Sequence, residues 1–258
     1  MTDEVASVEV GQGLDSDAGD FGERFVQDGS RRVAQTSAMS EHDFTPALGR
    51  LSLTGFAEAR LFDAVVALTR ERLWRGLTVE HLAPQPDEDI LDVGCGTGSL
   101  ALLAGQMQPQ ARITGVDPDP KVLAVARGKD TAGRVRWLTG MGDALVESVG
   151  AESMNGVMSS LVLHQCPMAM KRAILASMFA ALRPGGRVVI ADFGLQRTRL
   201  MRLAFRIVQF ADGKTDTQPN AEGVLPELIS AAGFADVREA EVVPTITGTI
   251  SIYVARKP

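Results

Sequence analysis

The chain has 258 residues, 45% of them hydrophobic, enough to bury a sizeable core as one domain or as one domain with an appendage. No apolar run approaches the roughly 18 residues that span a bilayer, so no membrane insertion is expected. The net charge of -6 is unevenly placed: residues 1–43 hold ten acids and three arginines, leaving 22 acids against 23 bases for the rest. A nearly neutral body lacks the broad basic face of a protein that wraps nucleic acid. Cys95 and Cys166 form no C-x-x-C pair, which excludes a metal knuckle or a disulfide framework. The opening carries Asp3 and Glu4 where an export signal would be basic, and a cytoplasmic location is expected.

In chain order, residues 1–43 are acidic, rich in Gly and Ser and without sustained periodicity, and are read as a disordered tail ahead of a domain over 44–258. Residues 57–76 place Leu61, Val65, Leu68 and Leu73 near helical spacing, with Gly76 as the stop. A buried strand follows at 88–94, then a helix over 99–107 and a second strand at 111–117 closed by Asp117-Pro118. The alternation continues with helices at 119–128, 143–149 and 168–182 and strands at 135–140, 154–163 and 186–193. Apolar strands separated by helices require a parallel sheet with helices on both faces. Between the fifth strand and Gly223 an insertion at about 195–222 supplies an extra helix. Leu200, Leu203, Ile207 and Phe210 form one of its stripes and Arg199, Arg202 and Arg206 another. Residues 234–242 and 246–255 read as strands with no crossover between them, hence an antiparallel hairpin at one edge. In the last strand Ile250, Ile252 and Val254 share one face, and Thr249, Ser251 and Tyr253 the other.

Gly94-Cys95-Gly96-Thr97-Gly98 lies between the first strand and its helix, where glycines admit a ligand close to the backbone and the helix N-terminus offers N–H groups. The dinucleotide pattern G-x-G-x-x-G would need glycine at position 99, where the chain has Ser99. Asp92 stands two residues before the loop, where a carboxylate repels a pyrophosphate and attracts an ammonium. A nucleoside-bearing ligand with positive charge and no diphosphate is therefore expected, which disfavours a nicotinamide oxidoreductase.

With these motifs the sequence resembles the class I S-adenosylmethionine-dependent methyltransferases, and among them the small-molecule group of the ubiquinone and menaquinone biosynthesis methyltransferases. The resemblance covers roughly 55–258 and rests on ILDVGCGTG, ITGVDPDP, GDAL, SSLVLHQ and LRPGGRVVIADF in the family's order. It implies a Rossmann-like, seven-stranded, mostly parallel sheet with helices on both faces and a C-terminal antiparallel hairpin. It also implies S-adenosyl-L-methionine as cofactor and a small-molecule acceptor, apolar or aromatic. By resemblance Asp92, Gly94, Gly96, Thr97 and Gly98 shape the pocket for the methionine end, and Asp117, followed by Pro118, accepts from the ribose hydroxyls. Asp117 has an alternative reading as a helix N-cap. Asp143 would accept from the adenine amino group with Gly142 and Ala144 beside the ring, or be an N-cap alone. Ser159 and Ser160 end the fourth strand near the sulfonium. They replace the acid expected there in catechol-type enzymes, so no metal is expected.

His164 follows SSLVL at the ligand-facing edge and is the candidate general base, the alternative being a packed histidine bonded to backbone. The fourth strand lacks the N/D-P-P-Y/F/W cluster of many DNA methyltransferases, which speaks against a nucleobase acceptor. By analogy the 195–222 insertion roofs the acceptor pocket, the alternative being a plain amphipathic surface helix. The same fold could also host a cyclisation or rearrangement, or a non-catalytic cofactor-binding module.

Overall fold

A computed structural model describes residues 70–258. The expected tail, and the part of the first predicted helix over 57–69, lie outside the described residues.

The first described element is helix α1, Glu71–Leu82. It extends past Gly76, the predicted stop, and ends at Ala83 in the left-handed region. The helix continues because Trp74, Thr78 and Leu82 recur every four residues and are all buried, so the stripe outweighs the roughly 1 kcal/mol cost of one glycine.

Beyond it run β1 Asp89–Val93, α2 Ser99–Met107, β2 Arg112–Asp117, α3 Pro120–Lys129, β3 Val135–Thr139, α4 Leu145–Val149 and β4 Met154–Ser160. A short 3-10 turn, Leu163–Gln165, leads to α5 Met168–Ala181 and β5 Leu182–Phe193. Strand β4 stops three residues earlier than predicted, because Leu161 adopts a φ of 56° that breaks the extended run.

The insertion holds two helices, α6 Arg199–Asp212 and α7 Lys214–Ala221, divided at Gly213, whose φ is 86°. Then come α8 Leu225–Ala231, β6 Ala235–Thr245 and β7 Gly248–Arg256.

The seven strands form one sheet in the order β3-β2-β1-β4-β5-β7-β6. Strands β1 to β5 are parallel, and β7 lies antiparallel between β5 and β6. This is the expected Rossmann-like architecture. One shared core joins Trp74, Val79 and Leu82 of α1 and Leu100 and Ala104 of α2 to Phe205 and Val208 of α6. Ile90, Met158, Val189, Phe193, Ile250 and Ile252 supply its sheet side.

The alternation read in β7 is present, but its polar face is buried too: Thr249, Ser251 and Tyr253 are as enclosed as Ile250 and Ile252. The segment that follows β5 covers that face: Gly194 packs against Ser251 Oγ and Tyr253 Oη. Parallel order also sets all five strand C-termini at one edge, where the loops after β1, β2, β3 and β4 converge.

Candidate active site

The glycine loop is built by two different constraints. Gly94, Gly96 and Gly98 all have positive φ, at 67°, 52° and 80°. A Cβ at Gly94 would run into Val162, and one at Gly98 into Trp137 and Ala126. At Gly96 it would meet nothing within 4 Å, so this is the loop position that leaves room for a ligand. The Gly96 N–H donates to Asp117 Oδ2 at 2.8 Å, and the Asp119 N–H to Asp117 Oδ1 at 3.0 Å. Thr97 Oγ1 accepts from Lys129 Nζ at 2.9 Å.

Asp117 is therefore not the cap of α3. That role belongs to Asp119, whose Oδ1 accepts from the Lys121 N–H at 2.7 Å. Pro118 is the half-buried link between them. Burial pushes the Asp117 carboxyl up, against the two N–H donors that favour its charge.

Asp92 is the more perturbed acid. It is fully buried, and neither oxygen has a hydrogen-bond partner of proper geometry. Burial raises it to about 7, opposed by the Arg75 guanidinium of α1 and weakly by the Ala101 N–H, and helped by the Asp117 charge. Arg75 was invisible to motif reading because it lies outside the glycine-loop segment. Its signal is its place beside Trp74, over whose ring it stacks at 5.0 Å, and its ion pair with Glu71.

Asp143 is exposed and caps nothing. The N-cap position of α4 is Ala144, and the Leu145 N–H donates instead to Ser177 Oγ at 2.8 Å. Gly142 and Ala144 flank Asp143 half-buried. Ser159 is buried and donates to the Val93 carbonyl at 2.8 Å, fastening β4 to the start of the glycine loop. Ser160 is half-buried at the strand end. A cleft of about 360 Å³ opens between the end of β3 and α4, lined by Leu138, Gly140, Met141, Ala144 and Glu147. It touches the Gly142–Ala144 turn only through Ala144 and holds neither Asp92 nor Asp117, so the converging loops, not this cleft, mark the site.

His164 does not stand as a free base. Its Nδ1 lies 2.8 Å from Asp192 Oδ1 and its Nε2 3.3 Å from Asp212 Oδ2, both carboxylates, where the alternative reading expected a backbone partner. Burial disfavours the charged ring, but Asp192 and then Asp212 outweigh it and push the imidazole up to about 9. With both ring nitrogens engaged, no lone pair is left to take a proton from an acceptor. Lys171, buried on α5, donates to the carbonyls of Leu163, His164 and Asp216. Neither Lys171 nor Asp192 was picked from the sequence: one sits in an ordinary helix and the other at a strand end, with no local pattern.

The stripe predicted for the insertion also differs in direction. Phe205 and Val208 anchor α6, while Leu200 is 75% and Phe210 95% exposed. At 100° per residue the anchoring face lies about 150° from the predicted stripe, close to the opposite side of the helix. Among the described residues no group of three or more His, Cys, Asp or Glu is placed to hold a metal ion.

Residues 90–186 match the model of a methyltransferase domain. A fungal O-methyltransferase, cnsE of Penicillium expansum, is 38% identical over 155 residues, or 57% of this chain and 53% of that protein. The chain thus spans about half the length of that curated relative. The demethylmenaquinone methyltransferase of Thermus thermophilus is 28% identical over 178 residues, covering 66% of this chain and 79% of that protein. Among solved structures, magnesium protoporphyrin IX methyltransferase from Synechocystis PCC 6803 with bound SAH superposes with a TM-score of 0.58 at 16% identity. That match covers 80% of this chain and 90% of the other and shows a shared fold.

Proposed function

We propose that the protein transfers a methyl group from S-adenosylmethionine to a small apolar or aromatic acceptor at the edge formed by β4 and β5. The observation that carries this reading is the acid–glycine–acid arrangement, in which Asp117 is bonded to the Gly96 N–H at 2.8 Å beside the open position of the loop. Each Asp117 oxygen accepts one backbone N–H and keeps a lone pair, which suits two ribose hydroxyls. The orphaned, buried Asp92 suits a cofactor bearing an ammonium and a sulfonium and is hostile to a pyrophosphate. Gly94, Gly98 and Thr97 shape the loop around Gly96. Pro118, Asp143, Gly142 and Ala144 supply the adenine end, with the exposed Asp143 carboxylate as acceptor for the amino group. Ser160 faces the transfer edge, and Ser159 sets the position of the Val93 carbonyl.

When bound, the cofactor supplies an activated methyl group, and the chain's task is to hold the acceptor in line and exclude water. Proton removal by His164 has no place in this scheme, because both of its nitrogens are committed. Among the described residues no helix is long and apolar enough to cross a membrane. Calorimetry with S-adenosylhomocysteine and NADPH, followed by incubation with labelled methyl donor and a metabolite extract, tests the proposal. Micromolar binding of the first ligand, none of the second and transfer of label to a small molecule are expected. Tight NADPH binding without a response to S-adenosylhomocysteine refutes it.

A further inference from the structure

We propose that His164 is a positioning residue: held as a cation between Asp192 of β5 and Asp212 of α6, it clasps the α6–α7 segment onto the edge where β4 and β5 end. The inference rests on the reading of that edge as the methyl-transfer site.

With both carboxyl groups ionised, only the doubly protonated ring satisfies both contacts. Nδ1 faces one carboxylate oxygen at 2.8 Å and Nε2 faces another at 3.3 Å. A neutral imidazole has one nitrogen without hydrogen, and either tautomer would set that lone pair against a carboxylate. The two ends of the clasp are unequal. Asp192 also accepts from the N–H groups of Leu163 at 2.7 Å, His164 at 3.3 Å and Phe193 at 2.7 Å, and is fully buried. It is welded to the sheet. Asp212 sits at the C-terminal end of α6, with the longer contact and some exposure.

A second tie runs in parallel, because Lys171 of α5 donates to the Leu163 and His164 carbonyls and, at 2.9 Å, to the Asp216 carbonyl of α7. The Phe193 ring meets the His164 ring edge-on at 5.0 Å and also contacts Phe205 of α6, extending the clasp into the core. The charged groups that act on the His164 ring are Asp192 of β5 and Asp212 of α6, while Lys171 of α5 and Asp216 of α7 act on Cys166 of the same turn. Loss of the proton leaves the Asp192 contact as an ordinary Nδ1–H donation and turns the Nε2 lone pair on Asp212, so the α6 end is the one released. The His164 value is raised above its unfolded one. The contribution is therefore full below about 6.5 and disappears as pH rises through about 9.

The test is hydrogen exchange of the full-length protein at pH 7, with wild type, Asp212→Asn and Asp212→Glu. It is paired with a carbon-13 titration of the His164 ring, whose resonance is assigned by its loss in His164→Gln. Exchange over 199–221 is expected to rise about tenfold or more in Asp212→Asn and to return most of the way in Asp212→Glu, with β1 and β4 unchanged. In wild type, opening of the same peptides, corrected for intrinsic rate, should step up near pH 9, and Asp212→Asn should lack the step. Unchanged exchange over 199–221, a rise spread equally over β1 and β4, or a His164 titration near 6.5 overturns the clasp. S-adenosylhomocysteine affinity separates the two readings. It should stay within about threefold in Asp212→Asn if the clasp acts on α6–α7 alone, whereas no binding by wild type defeats the cofactor reading and leaves the exchange result standing.

Discussion

Replacing Asp92 with Asn should stabilise the ligand-free protein while weakening its cofactor binding. Asp92 is a fully buried carboxyl without a proper hydrogen-bond donor, raised from 3.8 to about 7 chiefly by burial. Its folded value lies above its unfolded one, so proton binding favours the folded state. The stability associated with that proton is full below about 3.8 and is lost as pH rises to about 7, beyond which the loss is constant. At roughly 1.4 kcal/mol per tenfold change in proton affinity, the ceiling is about 4 kcal/mol. The value of about 7 already includes the Arg75 attraction, and an amide buried without partners recovers only part of the ceiling, about 1–3 kcal/mol. The neutral amide matches the protonated acid in shape and avoids this loss. Thermal unfolding at pH 8 should then show Asp92→Asn about 4–8 °C above wild type, and the gap should narrow at pH 5. Adding S-adenosylhomocysteine should reverse the order, because the ionised acid favours a cationic ligand; its affinity for wild type should fall as pH drops below about 7. An unfolding midpoint identical to wild type at both pH values, or lower at pH 8, would show that Asp92 is compensated in the free protein and would refute the reasoning.

Other outcomes follow from single contacts. Asp117→Ala removes the acceptor of the Gly96 N–H as well as two proposed ribose contacts, and S-adenosylhomocysteine affinity should fall at least about tenfold by calorimetry. A Cβ at Gly194 would overlap Ser251 Oγ and crowd Tyr253 Oη, so Gly194→Ala should lose about 2 kcal/mol or more in urea unfolding, and Ser251→Gly in the same chain should restore part of it. Phe210→Ala should leave stability in urea unfolding within about 0.5 kcal/mol, because the ring is 95% exposed. A large loss of stability there would make the ring part of the core.

The order of strands and helices, the glycine loop and the two acids at its ends could be read from the sequence because each is a local pattern. Apolar runs fix strands, a glycine cluster after a strand fixes the turn, and a crossover-free ending fixes the hairpin. Sequence alone also separated Asp92 and Ser99 from a dinucleotide site. It placed the histidine at the ligand edge without revealing what the histidine touches, since Asp192 and Asp212 lie 28 and 48 residues away and meet it only when β5 and α6 fold over the turn. Tertiary structure likewise decided that Gly76 lies inside a helix, that Asp119 and not Asp117 caps α3, and that both faces of β7 are buried. It turned the apolar stripe of α6 outward, with Phe205 and Val208 packed into the core in its place. Periodicity records that a residue is apolar or charged. Which neighbour it meets, and hence whether a buried acid is paired or a histidine can take a proton, is set by segments distant in the chain.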